Sequence, residues 1–265
     1  LAGCPERGYF PMAPIENSFQ AIAHVYHRFN NNDIYPEWLK FTLDQSQNQL
    51  KKVLDLACGN GEFTRRLAPY CQEISAVDYD SAMIDMARSL TSAEAAISYY
   101  CLDMRQLTQL KRQFSLITCF LDAFCFLPGQ DDLEVSFSQI YQSLTSQGIL
   151  LFDVWTLAGL SKFADFEYAD LDDKAALIWQ SNLLNPQTVV HQVTVFDQVH
   201  QEDYRRISVN LVEQTFPLET YLDLLVEAGF SRDNIEIFID LQGTSYQGED
   251  ELEVGHDRWF IKAVK

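Results

Sequence analysis

The stretch that most limits what this chain can become is Val53 to Thr64, VLDLACGNGEFT. An apolar run (Val53, Leu54, Leu56, Ala57) passes through Gly59-Asn60-Gly61 into EFTRRLAPY, where Phe63 and Leu67 stand one helical turn apart. The pattern predicts strand, glycine turn, helix. Glycines at such a turn accept tight backbone conformations and let a ligand come closer than any side chain would permit. A small molecule is expected to lie there.

The charges around the turn bear on which molecule. A dinucleotide fingerprint needs a third glycine for close helix–strand packing, and Thr64 stands in that place. Asp55 and Glu62 put negative charge where a pyrophosphate tolerates none. S-adenosylmethionine carries a sulfonium and an ammonium but no phosphate, so carboxylates near the turn attract it. Downstream, ISAVD reads as a second strand ending in Asp78, whose carboxylate can accept both ribose hydroxyls. Both cofactors contain ribose, so Asp78 leaves the choice open.

From there strands and helices alternate. Asp80 or Ser81 can cap a helix whose apolar face is Met83, Ile84, Met86, Ala87 and Leu90. Strands follow at Ile97 to Leu102, ending in Asp103-Met104, at Phe114 to Phe120, with Asp122 just beyond, and at GILLFDVW, ending in Asp153 and Trp155. Ligands of parallel sheets bind outside the carboxyl ends of the strands, which assigns Asp78 and Asp103 to one site. Between Thr156 and Phe216 the pattern changes to strands alone, over Ala175 to Leu184, Thr188 to Val199 and Tyr204 to Phe216. His191 alternates in phase with the valines of the middle strand, Val189, Val193 and Val195. A helix through Leu218, Leu222 and Leu225 and strands at Ile235 to Leu241 and Arg258 to Val264 return to the first pattern.

Five of these segments in order (VLDLACGNGEFT, AVDYDSAMIDMA, YYCLDMRQL, FSLITCFLDAFCFL, QGILLFDVWT) resemble the motif series of class I S-adenosylmethionine-dependent methyltransferases. From Ile15 onward the chain is similar to a family of small bacterial methyltransferases within that class. The resemblance implies an α/β fold, a doubly wound Rossmann-like seven-stranded, mostly parallel sheet with its last strand antiparallel. An antiparallel β insertion follows strand five and covers the substrate side. It divides the chain into residues 1–14 as an extension or expression remnant, 15–155 as N-terminal helices and cofactor-binding core, 156–216 as the lid and 217–265 as completion of the core.

For the cofactor, the resemblance implies Tyr26 and Trp38 closing from the N-terminal helices, with His27 standing where the family's pattern has an acid after the tyrosine. Asp55, Ala57, Gly59 and Gly61 would form the turn, Asp78 and Tyr79 hold the ribose side, and Met83 lie near the adenosine. Asp103 would accept from the adenine amino group under Met104, and Phe120 and Asp122 would line the junction with the acceptor. Without the resemblance, Tyr26, Trp38 and Met83 also read as helix core, and Asp103 as a cap.

Methyl transfer from a sulfonium needs alignment and exclusion of water more than it needs a catalytic group. Where an acceptor must lose a proton, Asp122, Asp153 and His191 are the candidates, each of which also reads as a cap, a solvated carboxylate or a satisfied sheet histidine. An acidic cleft with the aromatics Tyr26, Trp155 and Trp179 suits an amine, through cation–π contact, or a small neutral metabolite, with Asp122, Trp155 and Trp179 as the substrate-binding candidates. A net charge of −19 repels nucleic acid. Six cysteines without a CxxC pair suggest neither zinc nor a disulfide framework. No apolar run reaches a membrane span and no signal sequence is evident, so a cytoplasmic protein without a membrane partner is expected. The rival functions are a non-catalytic S-adenosylmethionine-binding regulator on the same fold and, more distantly, an NAD-dependent oxidoreductase. Oligomeric state is not legible.

Overall fold

The structure, a computed structural model, describes Ile22 and residues 32–200, 203–248 and 255–265. Tyr26 and the expected helix around it lie outside the described residues. Helix α1 (Tyr35–Gln45) leads into β1 (Lys52–Leu56), α2 (Glu62–Leu67), β2 (Glu73–Asp78), α3 (Ser81–Leu90) and β3 (Ile97–Cys101). Then come β4 (Phe114–Cys119), α4 (Gln130–Ser143), β5 (Leu144–Trp155) and the short α5 (Leu157–Ser161). Strands β6 (Phe166–Leu171), β7 (Ala175–Asn185), β8 (Thr188–His200) and β9 (Asp203–Gln214) precede α6 (Leu218–Ala228), β10 (Ile235–Phe238) and β11 (Arg258–Val264).

The large sheet has the order β10-β11-β5-β4-β1-β2-β3. Strands β1 to β5 pair in parallel, and β11 runs antiparallel between β5 and β10. This is the mostly parallel, doubly wound sheet that the motif series implies. Its central strands are buried on both faces, which is why they read as continuous apolar runs. Leu54, Leu56, Leu150, Phe152 and Val154 pack on α4 and α6 through Leu133, Phe137, Leu222 and Leu225. The alternate residues Val53, Leu116, Ile149 and Leu151 face α1 and α2 through Tyr35, Trp38, Phe41 and Phe63. Asp153 shares the phase of Leu151, so its carboxylate lies on the α1 side.

The insertion after β5 is a four-stranded antiparallel sheet, β6-β7-β8-β9. Its inner face, Leu177, Val193, Val195, Val209 and Leu211, packs with Ile22 and with Phe126, which follows β4. The sheet is therefore seated over the carboxyl end of β4. The period-two pattern foretells three of its strands. The fourth, β6, escapes because its sequence FEYADL is largely exposed and too polar to alternate clearly.

Both ends of the insertion are fastened at the tip of β5. Thr215 Oγ1 donates to the carbonyl of Trp155 at 2.6 Å. Thr156 caps α5 by accepting from Gly159 N at 2.8 Å, and its own N–H donates to the carbonyl of Asp257 at 2.9 Å. Strand end, insertion and the start of β11 thus form one junction.

Candidate cofactor and acceptor site

The turn after β1 bends through left-handed backbone at Ala57, Gly59 and Gly61, with φ of 57°, 52° and 74°. The two glycines serve different ends. A Cβ on Gly61 would lie 2.7 Å from the Tyr99 hydroxyl and 3.1 Å from Ala87 Cβ, so this glycine lets α2 sit against β3 and α3. A Cβ on Gly59 would meet nothing within 4 Å. The turn is therefore tight on one side and open on the other, as a cradle for a ligand must be.

Asp78 stands beside that opening. Its Oδ2 accepts from Gly59 N and its Oδ1 from Asp80 N, both at 2.8 Å. Each oxygen retains a lone pair, which fits the two hydroxyls of a ribose. Burial pushes the carboxyl up to about 6, against the help of its backbone donors. A ribose that donates to Asp78 binds the ionised form. Affinity for S-adenosylhomocysteine is thus expected to be full above about pH 7 and to fall by about tenfold per unit below pH 6. Calorimetry between pH 5 and 8 checks this; a flat profile, or one that Asp78→Asn leaves unchanged, would contradict it.

Asp55 lies beneath the turn, 3% exposed. It accepts from Thr64 Oγ1 at 2.5 Å and from Thr118 Oγ1 at 3.1 Å, and burial raises it to about 6. Thr64 thus occupies the place of a dinucleotide fold's third glycine because its hydroxyl satisfies a buried carboxylate. Removing that donor in Thr64→Val is expected to cost about 2 kcal/mol at pH 8. Protonation relieves the unsatisfied charge, so the deficit should shrink as pH falls through 6 toward 5, which urea unfolding at the two pH values tests.

The remaining cofactor candidates line neighbouring strand ends. Met83 is buried in the first turn of α3, and Tyr79 is 56% exposed. Asp103 caps the following turn by accepting from Arg105 N at 2.8 Å, and the Arg105 guanidinium grips the same carboxylate and Asp132. The Arg105 hydrogen bonds hold its carboxyl below the ordinary range. Met104 is partly buried against the core. Phe120 and Trp38 stack edge to face at 5.0 Å, and Phe63 meets Phe120 in the same manner at 5.4 Å.

Beyond β4 the backbone does something the sequence does not announce. Leu121 and Asp122 are consecutive non-glycine residues with left-handed φ, 59° and 54°. Such a pair costs energy and persists only where its surroundings enforce it. Here Asp122 N donates to Asp153 Oδ2 at 3.2 Å, and Asp122 Oδ1 lies 2.6 Å from Arg258 Nη1. The same Nη1 donates to Asp153 Oδ2. Arg258 opens β11 directly opposite Trp155, and its guanidinium lies 3.6 Å from the centre of that ring and 5.9 Å from that of Trp38. Burial raises the Asp122 and Asp153 carboxyls, and Arg258 only partly offsets it.

The insertion adds a second polar group. Glu213 of β9 accepts from Trp155 Nε1 at 2.6 Å, and its other oxygen lies 3.2 Å from His191 Nε2, off the line of a hydrogen bond. On the far side of the imidazole, Nδ1 accepts from Trp179 Nε1 at 3.1 Å and lies 2.7 Å from Ser181 Oγ. Glu213 and His191 are buried and close enough to Asp122 to act on its charge. The structure thus gathers Asp122, Asp153, Trp155, Trp38 and Phe120 at one strand end, with His191 and Trp179 joined to them through Glu213. Arg258 covers one face of the Trp155 ring.

A shallow recess of about 360 Å³ lined by Lys52, Glu73, Ser115 and Thr145 lies at the opposite, amino-terminal ends of the strands. It is remote from the turn and from these groups.

Comparison with known proteins agrees with this architecture. Residues 53–148 match the family described as a methyltransferase domain. YqeM of Bacillus subtilis (strain 168), a methyltransferase by designation only, is 30% identical over 249 residues, 93% of this chain and 97% of YqeM. A crystal structure of an S-adenosylmethionine-dependent methyltransferase from Clostridium acetobutylicum ATCC 824 is similar with a TM-score of 0.77 and 22% identity, covering 93% of this chain and 98% of that one. The sugar N-methyltransferase KedS8 from Streptoalloteichus sp ATCC 53650 follows with a TM-score of 0.71 and 18% identity, over 100% and 99% of the two chains. The chain belongs to the class I S-adenosylmethionine-dependent methyltransferases. The open cradle at Gly59 and the spare lone pairs of Asp78 fit that cofactor, which supplies an electrophilic methyl group when bound.

Proposed function

We propose that the protein transfers the methyl group of S-adenosylmethionine to a nitrogen or oxygen of a small molecule. Asp78 and the Gly59 turn hold the cofactor, and the acceptor lies between the ends of β4 and β5 and the antiparallel sheet. The observation that carries this reading is the buried group Asp122, Asp153 and Arg258 under the lid residues Glu213 and His191. So enclosed a place at the carboxyl ends of the strands suits a compact acceptor and excludes water, which aligned displacement requires. The name of KedS8 supports a small-molecule acceptor, and the net charge of −19 speaks against a polyanionic one. Among the described residues no helix is long and apolar enough to cross a membrane, in keeping with action on a dissolved substrate. The test is incubation with methyl-labelled cofactor and fractionated cell extract. Label should appear in the low-molecular-weight fraction; label confined to RNA, DNA or protein would refute the proposal.

A further inference from the structure

The acceptor end of the site is unbalanced in charge. Asp122, Asp153 and Glu213 are buried together, and among the described residues Arg258 is the permanent cation beside them. Arg258 spends one nitrogen on both aspartates. Asp153 Oδ1 is fully buried and accepts no hydrogen bond among the described residues. Buried acceptors without donors are costly, and buried carboxylates in excess of cations more so. Among the described residues, what the group lacks is a second positively charged donor.

The chemistry of the transfer points the same way. When a neutral nitrogen attacks the methyl carbon, its lone pair forms the N–C bond while the S–C bond breaks and its electron pair passes to sulfur. The positive charge leaves sulfur and appears on nitrogen. Carboxylates on the acceptor side are thus worth more in the transition state than in the ground state, which is the condition for accelerating the step. An anionic oxygen acceptor would be repelled before it reacted.

Resting on the reading of this strand end as the acceptor site, we propose that the acceptor is an aliphatic amine, held as its ammonium by Asp122 and by Glu213 of the lid. Before attack the ammonium gives one proton to Asp122. After attack the methylated nitrogen is again cationic and stays paired with Glu213, while Asp122 keeps the proton until it passes to water as the product leaves. Burial has already raised Asp122 toward neutrality, so it can accept that proton. Glu213 is fixed for the task by the Trp155 indole N–H, while His191 backs its other oxygen. The lid therefore contributes recognition as well as cover.

The test titrates the S-adenosylhomocysteine-saturated protein at pH 7.5 with three matched probes: cyclohexylamine, cyclohexanol and cyclohexanecarboxylate. The amine should bind about tenfold or more tightly than the alcohol, and the carboxylate should not bind. Asp122→Asn and Glu213→Gln should each weaken the amine about tenfold, with S-adenosylhomocysteine binding as the control for an intact fold. Equal or tighter binding of the alcohol or carboxylate, no binding of the amine, or amine binding indifferent to both substitutions would overturn the proposal. Failure to bind S-adenosylhomocysteine itself would strike the cofactor assignment instead, and is read separately in the first titration.

Discussion

Replacing Arg258 with methionine is expected to destabilise the protein by about 3–5 kcal/mol at pH 8, measured by urea unfolding. The side chain is 19% exposed and its Nη1 is shared by Asp122 and Asp153. Methionine fills much of the same volume between Trp38 and Trp155, so lost packing is a minor part of the effect. The major part is two carboxylates left in a buried place without their cation. Their pKa values, already raised by burial, would rise further. A carboxyl whose folded pKa exceeds its unfolded value destabilises the fold at high pH and ceases to do so below the unfolded pKa. The deficit should therefore shrink as pH falls from 8 toward 5. Adding Asp122→Asn and Asp153→Asn to the variant should recover much of the loss at pH 8. A deficit independent of pH would mean that Arg258 acts by packing alone.

Gly159→Ala should be nearly as damaging, at about 3 kcal/mol, although it adds one methyl group. The added Cβ would lie 2.1 Å from the carbonyl oxygen of Asp257 and 2.9 Å from its Cα. These are backbone atoms, so no side chain can swing aside. The backbone here must move, and Asp257 directly precedes Arg258. The damage should thus reach the charged group: acceptor binding should weaken while the Gly59 turn, on the far strands, keeps its affinity for S-adenosylhomocysteine. Thermal unfolding with and without that ligand separates the two effects. A variant as stable as the parent would show that the junction of β5, α5 and β11 is looser than its contacts indicate.

Much of the fold was legible because its signals are local. An apolar run, a glycine turn and a helical face within fifteen residues, Val53 to Leu67, mark β1 and α2, and alternation of valines marks β8. The ligand-facing end of the sheet followed from the rule for parallel strands. What stayed hidden depends on register. Arg258 meets Asp122 and Asp153 because β11 pairs with β5 so that Arg258 lies opposite Trp155, and nothing in RWFIKAV states that pairing. Glu213 reaches Trp155 only because the sheet folds back over β5. Thr64 reads in the sequence as a missing glycine, whereas its role depends on Asp55 lying buried beside it. Asp103 shows the converse: the motif position is plain, but its pairing with Arg105, two residues away, is not.

The most direct test of the whole account is calorimetric titration of the protein with S-adenosylmethionine and with NAD, repeated on Asp78→Ala. Binding of the first, none of the second, and loss of at least about 2 kcal/mol of binding free energy in the variant are expected, since two charge-assisted hydrogen bonds disappear. Binding of S-adenosylmethionine that is indifferent to Asp78, or preference for NAD, would contradict the placement of the cofactor at the Gly59 turn and everything built beyond it.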